Sequence, residues 1–282
     1  MGRTQMQDAV PIRLGQEFRA YSQAVRRDIA RFERAKGEMR CLNMGGTAIG
    51  TGINADVQYL KRIVPNLSKV SGLNLVQACD LIDATQNLDE FVAVSGVVKT
   101  CAVNLSKMSN DLRLMSSGPR CGLHEINLPP RQNGSSIMPG KVNPVIPEVV
   151  NQVAFNIMGN GLTITLAAEA GQLELNVMEP IIAFTLFTGI RRLARAFSTL
   201  QERCVAGITA NADRCRQLVE NSIGIVTALN TRLGYETSAS IAKEALESGR
   251  SVMDLVLEKQ LLTREELDEL LLPENMIHPF LK

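Results

Sequence analysis

Tryptophan is missing from this 282-residue chain, histidine occurs twice, and aromatic side chains make up only 4%. A core built with so few rings must be aliphatic, which favours helices packed on helices over a β-sandwich. Two histidines also leave little material for a hydrolase triad or a Cys/His zinc site, and no metal site is expected. Neither sign of charge is in surplus: 30 Lys and Arg against 29 Asp and Glu give a net +1. The chain therefore lacks the basic excess with which a nucleic-acid binder displaces counterions, and no nucleic-acid partner is expected. No uncharged apolar run reaches about 18 residues, so no membrane span or membrane partner is expected. The polar opening Met1-Gly2-Arg3-Thr4-Gln5-Met6 has no apolar stretch of the kind a secretory signal carries. Six cysteines (Cys41, Cys79, Cys101, Cys121, Cys204, Cys215) form no CxxC pair. They read as buried small hydrophobes in a reducing compartment, and a cytoplasmic location follows as an expectation.

What is present is helical periodicity. Apolar residues make up 45% and charged residues 21%, enough for a sizeable core. Phe18, Tyr21, Val25, Ile29 and Phe32 recur at steps of three and four, predicting a helix over 15–40 with Arg19, Arg26, Arg27, Arg31 and Arg34 on its solvated side. Phe91, Val94, Val98, Cys101, Leu105, Met108, Leu112 and Met115 predict a second helix over 88–116, ended by Gly118-Pro119. At 1.5 Å per residue it would be roughly 40 Å long, the length of an extended bundle. Two further long helices are expected over 144–172 and 180–208, each opened by a proline. Val92, Val97, Val103, Val150, Ala154 and Phe155 lie off the principal stripes. Helices apolar on more than one face need more neighbours than one chain supplies, so a homo-oligomer with a shared helical core is expected. Shorter helices are expected over 212–219, 235–248, 251–259 and 263–271, the last opened by the capping box Thr263-Arg264-Glu265-Glu266. The domain boundary is placed at 212: residues 1–212 as a central helical domain and 213–282 as a small C-terminal helical domain. No convincing strand pair is read.

The stretch with the most chemistry is 133–144, Asn133-Gly134-Ser135-Ser136-Ile137-Met138-Pro139-Gly140-Lys141-Val142-Asn143-Pro144. It sits between two long helices and carries two hydroxyls, an ammonium and a carboxamide, with Gly134 and Gly140 as hinges. Next to a helix N-terminus these groups make a surface suited to an anion. It is not a phosphate-binding P-loop: five residues separate the glycines and Val142 stands where that loop needs Ser or Thr. Lys141 at a helix start is electrostatically unfavourable unless an anion joins it, which favours a functional lysine. The glycine cluster 45–52 reads as a connection where backbones approach closely.

The loop resembles the signature loop of the fumarase/aspartase superfamily. Within it, Val145-Ile146-Pro147-Glu148-Val149-Val150-Asn151-Gln152-Val153 and Asn176-Val177-Met178-Glu179-Pro180 are similar to the aspartate-deaminating branch. Gly2-Arg3-Thr4-Gln5-Met6-Gln7-Asp8-Ala9 and Gly45-Gly46-Thr47-Ala48-Ile49-Gly50-Thr51-Gly52 fit the same family. The resemblance covers essentially the whole chain, which would match the C-terminal portion of a member and lack the first roughly 180 residues.

The resemblance implies an all-α fold: a long-helix bundle contributing to a homotetramer with a 20-helix core, each active site shared between subunits. It implies a carbon–nitrogen lyase acting on a small dicarboxylate amino acid, reversibly converting L-aspartate to fumarate and ammonia through an enediolate. Hydration of fumarate, or a non-catalytic oligomerising piece, are the alternatives. Ser135 would be the base. Ser136 would donate to the carboxylate that becomes the enediolate, while Lys141 and Asn143 would hold the other one. Thr4 and Gln5 would bind substrate, with Gln5 standing where the family carries His, and Glu148 would match the acid that supports that His. An amide cannot shuttle a proton, so slower ammonia departure is expected. No obligatory cofactor is implied, and activation by a divalent cation such as Mg²⁺ is left open.

Overall fold

The computed structural model describes residues 1–132, 134 and 136–277. In chain order the hairpin β1 (Arg3–Thr4) and β2 (Gln7–Asp8) leads into helix α1 (Leu14–Glu38). Strand β3 (Cys41–Leu42), α2 (Val57–Ser71), β4 (Val76–Gln77), α3 (Asp83–Gln86) and α4 (Asp89–Met115) follow. Next come β5 (Ile126–Asn127), α5 (Val145–Glu169), α6 (Glu179–Arg203) and β6 (Thr209–Ala210). The rest is short helices: α7 (Ala212–Glu220), α8 (Val226–Leu233), α9 (Tyr235–Ser248), α10 (Val252–Glu258), α11 (Arg264–Leu270) and α12 (Pro273–Met276). The all-α expectation holds. Three two-residue strand pairs, β1–β2 and β5–β6 antiparallel and β3–β4 parallel, are the additions.

The chain divides into two compact units. The first gathers Met1–Ser22, Met115–Asn127 and the residues from Thr209 onward; the second comprises Gln23–Leu114 and Leu128–Ile208. The boundary placed at 212 thus falls inside the first unit, which resumes at Thr209 and takes in two earlier segments.

The first unit has its own core of Ile225, Leu229, Ile241, Ala245, Val252, Leu255, Val256 and Leu267. Caps explain its helix boundaries. Ser251 accepts from Met253 N, and Thr263 with Glu266 forms the expected capping box.

In the second unit the stripe read from α4 is buried from Val94 through Leu112. By length and mean hydropathy (1.2) α4 passes for a membrane span, which the sequence reading did not expect; its apolar stripe nevertheless lies inside this unit. α1 differs from its expected stripe: Asp28 is 2% exposed while Ile29 is 58% exposed. The carboxylate is satisfied there, accepting from Arg31 Nη1 at 2.6 Å and from Asn104 Nδ2 at 2.9 and 3.0 Å. A buried ion so paired can occupy a core position. Of the residues read off the main stripes, Val150 and Ala154 are buried within the chain, Val92 and Val97 are half-buried, and Val103 and Phe155 are exposed. α5 and α6 are joined by a turn built on Asn176, fully buried. Its Nδ2 donates to the Ala167 and Ala168 carbonyls, and its Oδ1 accepts from Met178 N.

The glycine cluster does serve close approach. Gly50 has φ +97°, and a Cβ there would run into the backbone of Leu81 and Ile82. The cysteines correct the sequence reading: Cys101 and Cys204 are buried and Cys215 is intermediate, but Cys41, Cys79 and Cys121 are exposed. All six are free thiols.

Candidate active site

The signature loop lies in the second unit, between β5 and α5, and its sequence dictates its shape. Pro139 presets φ for the second position of a turn and Gly140 takes the left-handed third position, φ +81°. Lys141 N donates to Met138 O at 3.3 Å, closing a type II turn over Met138–Lys141. Gly134 packs against the backbone of that turn: a Cβ there would coincide with the Lys141 carbonyl. Any side chain at 134 would push the two ends of the loop apart. The loop is thus drawn in at Gly134–Lys141, with Ser136 on the drawn-in segment and exposed. Ile137, at 86%, is exposed too.

After the turn, Val145 N bonds Asn143 O and Glu148 N bonds Pro144 O as α5 begins. No side chain caps this N-terminus, where Pro144 stands at the capping position. A helix N-terminus without a side-chain cap presents amide dipoles to an anion. Lys141 is exposed and Asn143 half-buried, four and two residues before the first residue of α5. The structure therefore brings Ser136, Lys141 and Asn143 onto one short loop ahead of a helix start. Ser135 and Asn133 lie outside the described residues.

Glu148, in the first turn of α5, faces α4. Its Oε1 is 3.9 Å from Arg113 Nη2. Arg113 Nη1 donates to Asn151 Oδ1 at 3.3 Å, and Asn151 Nδ2 donates to the carbonyl and hydroxyl of Ser106. This polar seam was missed in the sequence. Its signal is Asn151, a carboxamide on the buried stripe of α5 that must find partners on the neighbouring helix. The Arg113–Glu148 pair is itself half-exposed and contributes little stability.

Thr4 and Gln5 belong to the first unit. Thr4 pairs with Gln7 across the β1–β2 hairpin, and the two-residue turn is Gln5 (φ 52°) and Met6 (φ 64°). Both residues are left-handed, as a type I′ turn requires, and both are exposed. The hairpin is fastened by Arg3, whose guanidinium forks onto the buried Glu125 carboxylate at 2.9 and 3.1 Å. Neither Arg3 nor Glu125 was singled out in the sequence; a buried acid and its half-buried base partner so far apart in the chain give no local signal.

Among the described residues no three His, Cys, Asp or Glu side chains converge as a metal cluster. Two buried thiols are held protonated. Burial first, and Asp28 second, pushes Cys101 up to about 12; burial pushes Cys204 up to about 11.

Comparison with known proteins gives a consistent result. Residues 1–159 match a family model described as lyase, and residues 225–278 match one described as fumarase C C-terminus. An aspartate ammonia-lyase of Pseudomonas aeruginosa is 61% identical over 280 residues, covering 99% of this chain and 59% of that protein. Those of Helicobacter pylori and Bacillus subtilis are 60% and 55% identical over 279 residues, covering 99% of this chain and 60% and 59% of theirs. The chain spans about three fifths of the length of these relatives. A Brucella melitensis fumarate lyase:delta crystallin, in a crystal structure with cobalt bound, superposes with a TM-score of 0.95 at 51% identity, covering 99% of this chain and 60% of that one. A class II fumarase from Schistosoma mansoni superposes with a TM-score of 0.85 at 35% identity, covering 98% and 60%.

Proposed function

The chain belongs to the lyase family of the fumarase/aspartase superfamily, and from that premise we propose that it carries out the deamination of L-aspartate to fumarate and ammonia. The observation that carries this reading is the drawn-in loop, with Gly134 against the Lys141 carbonyl and a type II turn at Met138–Lys141 that gathers Ser136, Lys141 and Asn143 before α5. The identity of 55–61% to three aspartate ammonia-lyases supports it.

The elimination needs one carboxylate of the substrate to accept charge. The C–H bond beside that carboxylate breaks, its proton goes to the base, and its electron pair enters an enediolate. The pair then forms the C=C bond as the C–N bond breaks, and the nitrogen leaves as ammonia with the electrons of that bond. The reaction is redox-neutral and draws on no electron carrier. Ser136 donates to the carboxylate that becomes the enediolate; Lys141 supplies charge and Asn143 a donor to the other. Donors that bind the enediolate more strongly than the ground state lower the barrier, each by about 3–4 kcal/mol. Ser135 takes the proton in this scheme, a role that rests on the resemblance alone. Thr4 and Gln5 bind the substrate and Glu148 matches the acid that supports the family's His, roles that rest on the resemblance alone. Activation by Mg²⁺ or another divalent cation is no part of the scheme. The exposed Val149, Phe155, Leu162 and Leu166 of α5 and Phe184 and Phe187 of α6 support self-association; a homotetramer whose subunits share active sites is what the resemblance implies. Six free thiols support a cytoplasmic setting.

The test is Lys141→Met in the active assembly that contains this chain, with L-aspartate as substrate and the ultraviolet absorbance of fumarate as readout. Loss of a charged hydrogen-bond donor should lower kcat/KM by about 10²–10³-fold. Turnover equal to that of the unsubstituted protein sinks the assignment. Hydration of fumarate without ammonia release places the activity with the fumarases instead.

A further inference from the structure

The β1–β2 hairpin cannot hold its own shape. Two-residue strands are too short for independent stability, and the turn places two side-chain-bearing residues, Gln5 and Met6, in left-handed backbone where Asn-Gly is favoured. Something outside the hairpin must hold it. Within the first unit these contacts, among others, do so. Gly224 lies so close to the Ala9 carbonyl that a Cβ would collide with it. Ser222 Oγ donates to Asp8 Oδ2 at 2.7 Å on β2. On β1, Arg3 Nη2 and Nη1 donate to Glu125 Oε1 and Oε2 at 2.9 and 3.1 Å.

The third contact differs in kind from the other two. Glu125 is 5% exposed, and its own backbone is fixed on both sides: its N donates to Met115 O at 2.8 Å and its O accepts from Asn211 N at 2.9 Å. A bidentate guanidinium–carboxylate pair fixes angle as well as distance. Because side chains alternate along a strand, Arg3 pointing inward to Glu125 obliges its neighbour Thr4 to point the other way, and Thr4 is exposed. The pair therefore sets which face of the hairpin is presented, and with what tilt.

We propose that Arg3 and Glu125 are a positioning pair whose task is to present Thr4 and Gln5 to the dicarboxylate substrate. The substrate half of this inference rests on the lyase reading; the holding of the turn does not.

The experiment has two arms, each with Glu125→Gln and Arg3→Lys. In the first, amide hydrogen exchange is followed on this chain. Residues 2–10 should exchange about tenfold faster in both variants, while α9 and the core around Leu229 and Leu255 keep their protection. Should Glu125→Gln loosen the whole unit, Arg3→Lys, which keeps the charge and loses only the fork, carries the arm alone. In the second, steady-state kinetics with L-aspartate are measured in the active assembly. KM should rise about tenfold for Glu125→Gln and about threefold for Arg3→Lys, with kcat changing less than about threefold. Unchanged exchange in residues 2–10 overturns the positioning role. Faster exchange with an unchanged KM, or a loss confined to kcat, reduces the pair to a structural contact and overturns the substrate half. An unsubstituted assembly that releases no fumarate overturns the lyase reading and the substrate half with it, while the exchange arm still decides what holds the turn.

Discussion

Cys101 sits where a second negative charge would be hard to place. Its thiol is buried near Asp28, 2% exposed; burial, then that carboxylate, raises it to about 12 from an ordinary 9.0, with Arg31 pulling the other way. The folded state thus keeps a proton that the unfolded chain releases near pH 9. The stabilisation is whole below about pH 9 and is lost as pH rises toward about 12, at about 1.4 kcal/mol per pH unit. Cys101→Ser keeps a donor to Asp28 and does not titrate there. In urea unfolding between about pH 9 and about pH 11 the unsubstituted chain should lose stability more steeply than Cys101→Ser by about that amount; parallel losses count against it. Residues such as these mark the limit of reading by pattern. Periodicity put Ile29 inward on α1, but Asp28 goes in because Asn104 and Arg31 meet it there, and those partners cannot be paired with it from spacing. Gly134 and Gly140 could be read as special because a loop glycine without a side chain is a local statement, and Gly140 indeed takes a positive φ.

Elements were legible in proportion to their length and to the regularity of one buried stripe. α4 was found within a residue at each end. α5 and α6 begin as read but stop earlier, α5 at Glu169 and α6 at Arg203, where the chain passes into the α5–α6 connection and into the apolar 3₁₀ turn Val205–Gly207. α2 was passed over. Its caps are conventional, with Asp56 accepting from Gln58 N and Tyr59 N and Gly72 at φ +69°, but Pro65 sits inside it and only Val64 is buried. The turn between α5 and α6 is the element where one side chain matters most. Asn176 satisfies two carbonyls at the end of α5 and one amide at the start of α6, with no exposure to water. Asn176→Ala strands these groups and should lower the unfolding free energy by about 3 kcal/mol, read as a lower urea midpoint at constant slope. Asn176→Asp should be at least as damaging, since a carboxylate would face two carbonyl oxygens. A midpoint for Asn176→Asp above that of Asn176→Ala would mean that the side chain's donor role has been misread.

At the scale of the molecule, chain order misleads. The first unit is assembled from three separated stretches, so a boundary sought along the sequence finds only its last piece. The apolar surplus was more readable, because it follows from composition along single helices. On α5 the buried stripe runs through Val150, Ala154, Ile157, Gly161 and Ile164, yet the other side carries Phe155, Leu162 and Leu166 at 57–63% exposure; on α6 Phe184 is 69% and Phe187 56% exposed. Three of the eight phenylalanines thus face outward on two adjacent helices, in a chain that has few rings to place. Exposed apolar side chains concentrated on two neighbouring helices point to an association surface, and because most soluble assemblies are symmetric homo-oligomers a second copy is the first occupant to test. Phe184→Glu puts a carboxylate on that face without disturbing the buried Thr185 and Leu186 beside it. Mass measured by light scattering after size exclusion should fall from that of the proposed tetramer to smaller species, and fumarate release should fall with it if subunits share their active sites. A smaller species that keeps full turnover would confine each site to one subunit; an unsubstituted protein that is already monomeric would leave the exposed phenylalanines to some other partner.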